Sequence, residues 1–170
     1  MTAELPIAVD VLVEAGTWPA NSELAKLVAD AVEASIAVGG LRFVEGSELS
    51  VVFTDDDHVR ALNAHYREKD RPTNVLSFPG TPPGRDRFGP LLGDIVLAQE
   101  TVSAEAEQED LPFEHHLTHL VVHGLLHLFG HDHIEDAEAE RMEALETKIL
   151  GRLGVADPYA GAELDGGAHH

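Results

Sequence analysis

A histidine-rich stretch at residues 123–133 has the spacing of a metal site. Read as a helix, it places His123 and His127 one turn apart on the same face. Two imidazoles in that arrangement can bind one metal ion, at about 2.0–2.1 Å from each nitrogen for zinc. Gly130 suits the left-handed residue that ends such a helix, so the chain can turn and bring His133 back as a third ligand.

The spacing is that of the zinc sites H-E-x-x-H-x-x-G-x-x-H, with one difference. The glutamate that follows the first histidine in those sites, where it serves as general base, is Gly124 here. Spacing favours His133 as the third ligand, although His131 and Asp132 also lie within reach of that position. The sequence therefore predicts a metal held by three side chains and leaves the general base unassigned.

Apolar neighbours argue against a helix whose histidines simply face water. A helix that is apolar almost all round is a buried one, and buried histidines without a metal or polar partners carry an unmet desolvation cost. Towards the N-terminus, His119 and His115 continue the stripe; we expect His119 to contact substrate or orient a ligand, and His115 to be exposed. The apolar neighbours are Leu117, Leu120, Val121, Val122, Leu125, Leu126, Leu128 and Phe129.

Length and composition are those of one soluble domain. The chain has 170 residues, of which 44% are hydrophobic and 25% charged, enough to build a real core. It has no cysteine, which excludes disulfides and thiolate metal sites. No stretch approaches the roughly 20 apolar residues that span a bilayer, so we expect a cytoplasmic protein without a membrane partner.

Charge is distributed unevenly along the chain. The formal net charge of −20 opposes binding to nucleic acid. Basic residues are nevertheless concentrated in one segment, and none occurs from residue 88 to residue 140. This segment is either a local site for an anionic partner or a set of solvated loop charges. Six of the eleven basic residues lie in it: Arg60, Arg67, Lys69, Arg71, Arg85 and Arg87.

Hydrophobic periodicity predicts an α+β fold: a single domain with a four-stranded mixed sheet, about five helices and the histidine helix at its centre. Asn21 or Ser22 is expected to cap the first helix. Asp55–Asp57 are expected to cap the second helix, and a metal site formed by these three aspartates is the alternative.

The domain is expected to span 1–153, followed by a poorly ordered tail at 154–170 whose final histidines resemble a tag remnant. The predicted strands are 5–13, 47–54, 74–79 and 92–99, and the predicted helices are 21–36, 55–66, 100–109, one that starts at 110, and 135–151.

Three motifs resemble the YbeY family of bacterial endoribonucleases and rRNA maturation factors. They are the histidine motif at 123–133, the segment from Tyr66-Arg67 to Pro79, and Leu92-Gly93-Asp94-Ile95, in the same order and separation as in that family. The resemblance covers roughly residues 5–152, with Asn74 standing where many relatives carry Asp. It implies one zinc ion per chain on His123, His127 and His133, with Arg67 as the functionally important arginine. It also implies cleavage of single-stranded RNA in 16S rRNA 3′-end maturation and ribosome quality control, with the ribosome or its proteins as partners.

The chemistry of these residues agrees with that implication. A zinc ion with three protein ligands keeps a position open for water or substrate. RNA carries an internal nucleophile in its 2′-hydroxyl, so the missing glutamate matters less than it would for a peptide. A guanidinium can contact two phosphate oxygens at once, a role we expect of Arg67, with Lys69 and Arg71 on flanking phosphates.

Three alternatives stay open at the level of sequence. The ligand spacing also suits a metallopeptidase, which Gly124 weakens. A ribosome assembly factor with a structural zinc would have a closed set of four ligands, with His131 or Asp132 added. Arg67 could also be held in an ion pair by Glu68 or Asp70 instead of contacting phosphate.

Overall fold

The computed structural model describes residues 6–82, 87–131 and 136–155. Within these ranges the chain forms one α+β unit with four strands and five helices, which confirms the predicted fold class. Residues 156–170 lie outside the described part, so the domain boundary at 153 and the tail stay predictions. In chain order the elements are β1 (Ile7–Val13), α1 (Asn21–Gly39), β2 (Ser47–Thr54), α2 (Asp56–Arg67), β3 (Val75–Pro79), β4 (Leu91–Ala98), α3 (Gln99–Gln108), α4 (Phe113–Leu128) and α5 (Asp136–Arg152).

The sheet has the strand order β1-β2-β4-β3. β1 pairs with β2 and β2 with β4 in parallel, whereas β3 runs antiparallel to β4. In register, Val51 pairs with Val11 on one side and with Ile95 on the other, and Ile95 pairs with Ser77. β3 is therefore an edge strand, with one side of its backbone free for contacts outside the sheet.

Alternation along β4 divides the core between the two faces of the sheet. Ile95 and Leu97 belong to the larger cluster, which includes the apolar side chains of α1, α4 and α5. Val96 and Ala98 belong to a smaller cluster with Val59 of α2. Ten of the residues of α4 are buried, so the predicted central helix is confirmed. None of the helices in the described ranges is both long and apolar enough to cross a bilayer.

One predicted helix cap and one predicted helix start are wrong, and each error has a local cause. Neither Asn21 nor Ser22 caps α1, because the N-cap residue is Ala20, which makes no side-chain capping bond. α4 begins at Phe113 and not at Asp110, because the residues after α3 continue its last turn. Leu111 donates its backbone N–H to Ala106, and Asp110 takes a left-handed φ of 55°.

The aspartates at the start of α2 cap the helix, as predicted. Asp55 has extended backbone angles, and its carboxylate accepts from the backbone N–H of His58 at 3.0 Å. The same oxygen lies 2.6 Å from Nδ1 of His58. These hydrogen bonds lower the pKa of Asp55 and raise the pKa of His58.

Candidate active site

The chain turns sharply after α4, as the glycine in the motif predicts. Gly130 has a φ of +87°, and its backbone N–H donates to the carbonyl of His127 at 3.0 Å. His131 donates in turn to the carbonyl of Leu126 at 3.0 Å, which closes the turn. His131 is half-buried, and that burial lowers its pKa. The predicted third ligand, His133, lies outside the described residues, as does Asp132.

His123 and His127 point their Nε2 atoms at one another from consecutive turns of α4. The two nitrogens are 3.1 Å apart, and the ring planes are inclined at 76°. Two nitrogens on one tetrahedral zinc ion are separated by about 3.3 Å if each bond is about 2.05 Å. The donor atoms present thus fit an ion placed between these two imidazoles.

A buried carboxylate from α5, Glu146, contacts His123 and a second histidine of α4, His119. Glu146 Oε1 accepts from His119 Nε2 at 2.7 Å, and its Oε2 accepts from His123 Nδ1 at 3.1 Å. Only 1% of its side chain is exposed. Burial by itself raises the pKa of Glu146, but the hydrogen bonds from the two imidazoles outweigh it and lower the pKa to about 2.

These three side chains form a group that can hold a metal ion. His119, His123 and Glu146 each offer a ligand atom, and the atoms lie within 4.8 Å of one another. Glu146 was missed at the level of sequence, although a signal exists. It lies four residues after Met142 and four before Leu150, both buried, so a charge occupies the apolar stripe of an amphipathic helix.

Position 124, where the peptidase motif has a glutamate, faces the sheet, and this explains why it is a glycine here. A Cβ atom there would lie 2.9 Å from Cγ2 of Ile95 and 3.2 Å from Oγ of Ser77. Its carbonyl accepts from Ser77 Oγ at 3.1 Å. A glutamate side chain has no room at this point, and it would project into the sheet and away from the facing nitrogens of His123 and His127.

Arg67, the predicted catalytic residue, is exposed at the end of α2 and contacts the edge strand. Its Nη2 donates to the carbonyl oxygen of Ser77 at 3.1 Å. Ser77 in turn contacts Gly124, the neighbour of His123. The predicted alternative in which Asp70 pairs with Arg67 is wrong, because that carboxylate pairs with Arg60 at 2.8 Å. β3 thus connects the exposed guanidinium with the histidine helix.

The two other predicted cations follow α2 in an anchored loop. Lys69 and Arg71 are exposed. Their backbones are held by the buried Asn63, which accepts from Lys69 N–H at 3.2 Å through its carbonyl and donates from its side chain to the Arg71 carbonyl at 2.8 Å. Arg87 is exposed as well, whereas Arg85 lies outside the described residues.

Of the two other histidines with a predicted role in α4, His119 agrees with one prediction and His115 does not. His119 faces Glu146 through Nε2, in keeping with the ligand-orienting contact that was one of its two predicted roles. His115 is half-buried where exposure was expected, because α4 packs between α1, α3 and α5. His116 is buried, and its Nε2 contacts Glu105 of α3 at 2.9 Å.

Known proteins are similar to this chain in sequence, and a solved structure is similar to it in fold. The profile of the endoribonuclease YbeY family matches residues 14–154. The chain is 53% identical over 158 residues to the endoribonuclease YbeY of Rhizobium meliloti strain 1021, covering 89% of this chain and 94% of the relative. It is 51% identical over 164 residues to that of Agrobacterium fabrum strain C58, covering 91% and 96%. A solution structure from Thermotoga maritima matches with a TM-score of 0.55 at 26% identity, over 86% of this chain and 91% of that one. The chain therefore belongs to the YbeY family of endoribonucleases.

Proposed function

We propose that this protein is a zinc-dependent endoribonuclease specific for single-stranded RNA. It acts in the cytoplasm on the 3′ end of 16S rRNA and in ribosome quality control, with the ribosome or ribosomal proteins as partners. The observation that carries the proposal is that Ser77 of β3 contacts both Arg67 and Gly124, the residue next to His123 in α4. The edge strand thus joins a cation suited to phosphate with the helix that bears the facing nitrogens of His123 and His127.

We assign His123 and His127 as zinc ligands, with His133 as the third. Their Nε2 separation of 3.1 Å corresponds to an angle of about 100° at an ion bound at about 2.05 Å, close to tetrahedral. The contact between Glu146 and His119 is shorter, at 2.7 Å, and corresponds to about 80°. That distance is typical of a hydrogen bond to a carboxylate, so we place His119 and Glu146 beside the ligands and not on the ion.

An ion held by His123, His127 and His133 would supply Lewis acidity towards an oxygen of the scissile phosphate and would favour deprotonation of a water molecule. The protein contributes position and charge. The guanidinium of Arg67 can exchange its contact with the Ser77 carbonyl for two phosphate oxygens, where negative charge grows during cleavage. Lys69 and Arg71 bind flanking phosphates from a loop whose backbone is hydrogen-bonded to Asn63.

An exposed aromatic ring beside this loop supports the preference for single strands. Tyr66 is 62% exposed and packs edge-on against Phe78 of β3, with ring centroids 5.3 Å apart. Phe78 follows Ser77, so the ring lies near the guanidinium contact. Unpaired bases stack on such rings, whereas bases in a duplex are already stacked on each other.

The competing functions are less well supported. A metallopeptidase needs a general base next to the ion, and the space around Gly124 excludes a side chain there. A structural zinc would be closed by a fourth protein ligand; among the described candidates, half-buried His131 is the residue to test for that role.

Cleavage of a defined single-stranded RNA by Arg67→Ala tests the proposal. We expect about 10²–10³-fold lower kcat with zinc content and melting temperature unchanged, because a stabiliser of transition-state charge is lost. Arg60→Ala is the matched control, since this arginine lies on the same helix but pairs with Asp70 on the surface. Cleavage by Arg67→Ala at the wild-type rate would remove Arg67 from the mechanism. Turnover of casein but not of RNA by the zinc-loaded protein would favour the peptidase.

A further inference from the structure

The carboxylate of Glu146 is buried and is shared by two histidines of another helix. Each oxygen takes one imidazole N–H, from His119 on one side and from His123 on the other. An ion this deeply buried is costly unless its lone pairs are satisfied. Both of these hydrogen bonds depend on the orientation of the rings, so the carboxylate of Glu146 and the imidazoles of His119 and His123 constrain one another.

The contact to His123 determines which ring nitrogen carries the proton. Because a carboxylate can only accept, the proton lies on Nδ1 of His123, and in the neutral ring the lone pair is then on Nε2. That Nε2 is the atom 3.1 Å from Nε2 of His127. The carboxylate therefore presents the nitrogen of His123 that a metal needs.

We propose that Glu146 is a positioning residue of the metal site, which holds His123 in the orientation and tautomer that bind the ion through Nε2. His119 is the second anchor: by donating to Oε1 it turns the other oxygen towards His123. The inference rests on the proposed function, since it assumes that His123 is a zinc ligand. Carboxylates that accept from metal-bound histidines commonly raise metal affinity 10–100-fold.

A second carboxylate–histidine contact on the same helix provides a matched comparison. Glu105 of α3 contacts His116 of α4 at 2.9 Å. The same carboxylate oxygen also accepts from the side chain of Asn74 at 3.0 Å, so these contacts of Glu105 involve neither His123 nor His127. Glu105→Gln therefore alters the same kind of carboxylate–histidine contact but leaves the contacts of His123 and His127 described above unchanged.

Zinc affinity, measured by competition with a chromophoric chelator, tests the proposal on the full-length protein. We expect Glu146→Gln to bind zinc 10–100-fold more weakly and Glu105→Gln to stay within about twofold of the wild type. Glu146→Gln with wild-type affinity would overturn the positioning role while leaving the proposed function intact. A wild-type protein that binds no zinc would overturn both.

Nitrogen NMR of the zinc-loaded wild type gives a second readout, which does not depend on any variant folding. We expect Nδ1 of His123 to carry a proton and to show coupling across the hydrogen bond to Glu146, with Nε2 bound to the ion. Ligation of His123 through Nδ1 would overturn the proposal, since Glu146 would then share the ion with it. This result would leave a metal-dependent nuclease possible, so the two failures are distinguishable.

Discussion

Gly124→Ala probes how closely α4 approaches the sheet. The added methyl group would lie 2.9 Å from Cγ2 of Ile95, a separation that real side chains do not tolerate without movement. It would also lie 3.2 Å from Oγ of Ser77, which donates to the Gly124 carbonyl. The helix must therefore shift away from β3 and β4, and the contact that connects Arg67 to the histidine helix is strained.

Two opposing effects determine how much Gly124→Ala changes the free energy of unfolding. Alanine in place of glycine favours a helix by about 1 kcal/mol. Overpacking a tight core costs about 1–3 kcal/mol, and here Ile95 is fully buried in the main cluster. The net loss in unfolding free energy is about 0–2 kcal/mol. For a chain of this size each kcal/mol lowers the melting temperature by about 2–4 °C, so the expected decrease is up to about 8 °C.

Thermal unfolding of Gly124→Ala beside Gly151→Ala measures the steric cost. Gly151 lies in α5, and nothing is within 4 Å of a Cβ built there, so alanine at that position gains helix propensity without a clash. We expect Gly151→Ala to melt at or above the wild-type temperature and Gly124→Ala to melt below Gly151→Ala. An equal rise in both variants would refute the claim that position 124 has no room for a side chain.

The remaining predictions concern substrate binding and pH. Tyr66→Ala is expected to raise KM for single-stranded RNA about 5–150-fold, because stacking of one base contributes about 1–3 kcal/mol. Zinc content, measured in the same preparation, is expected to stay at the wild-type level. Proton NMR is expected to give His58 a pKa above its ordinary 6.5, because Asp55 accepts from its ring, and Asp55→Asn returns it to the ordinary range. Since the folded pKa is raised, the stabilisation from His58 is complete below about pH 6.5 and is lost as pH rises through the folded value. An unshifted His58 in the wild type would contradict this pairing.

The sequence predicted the features of the fold that depend on single residues or on the pattern of nearby residues. The capping of α2 by Asp55 and the left-handed Gly130 follow from the preferences of single residues, and both are confirmed. The mixed sheet and the buried histidine helix follow from hydrophobic periodicity. The start of α4 was misplaced because the last turn of α3 continues to Leu111, a tertiary choice that propensity does not resolve.

The parts of the site that escaped prediction join residues far apart in the chain. Glu146 reaches His123 across 23 positions, and only packing of α5 on α4 brings them together. The backbone contact of Arg67 with Ser77 depends on β3 being an edge strand, which the strand order determines. Gly124 was recognised as a missing glutamate, but the reason is the approach of Ile95, which no motif encodes.

Arg67 donates to a backbone carbonyl oxygen, so its contact does not depend on which side chain stands at position 77. Every amino acid offers the same carbonyl, so exchanging the side chain at position 77 leaves the docking point of the guanidinium in place. The hydroxyl of Ser77 serves the opposite partner, Gly124. Ser77→Ala would consequently remove the hydroxyl contact to the histidine helix without releasing the arginine, which allows the two contacts of this strand residue to be perturbed one at a time.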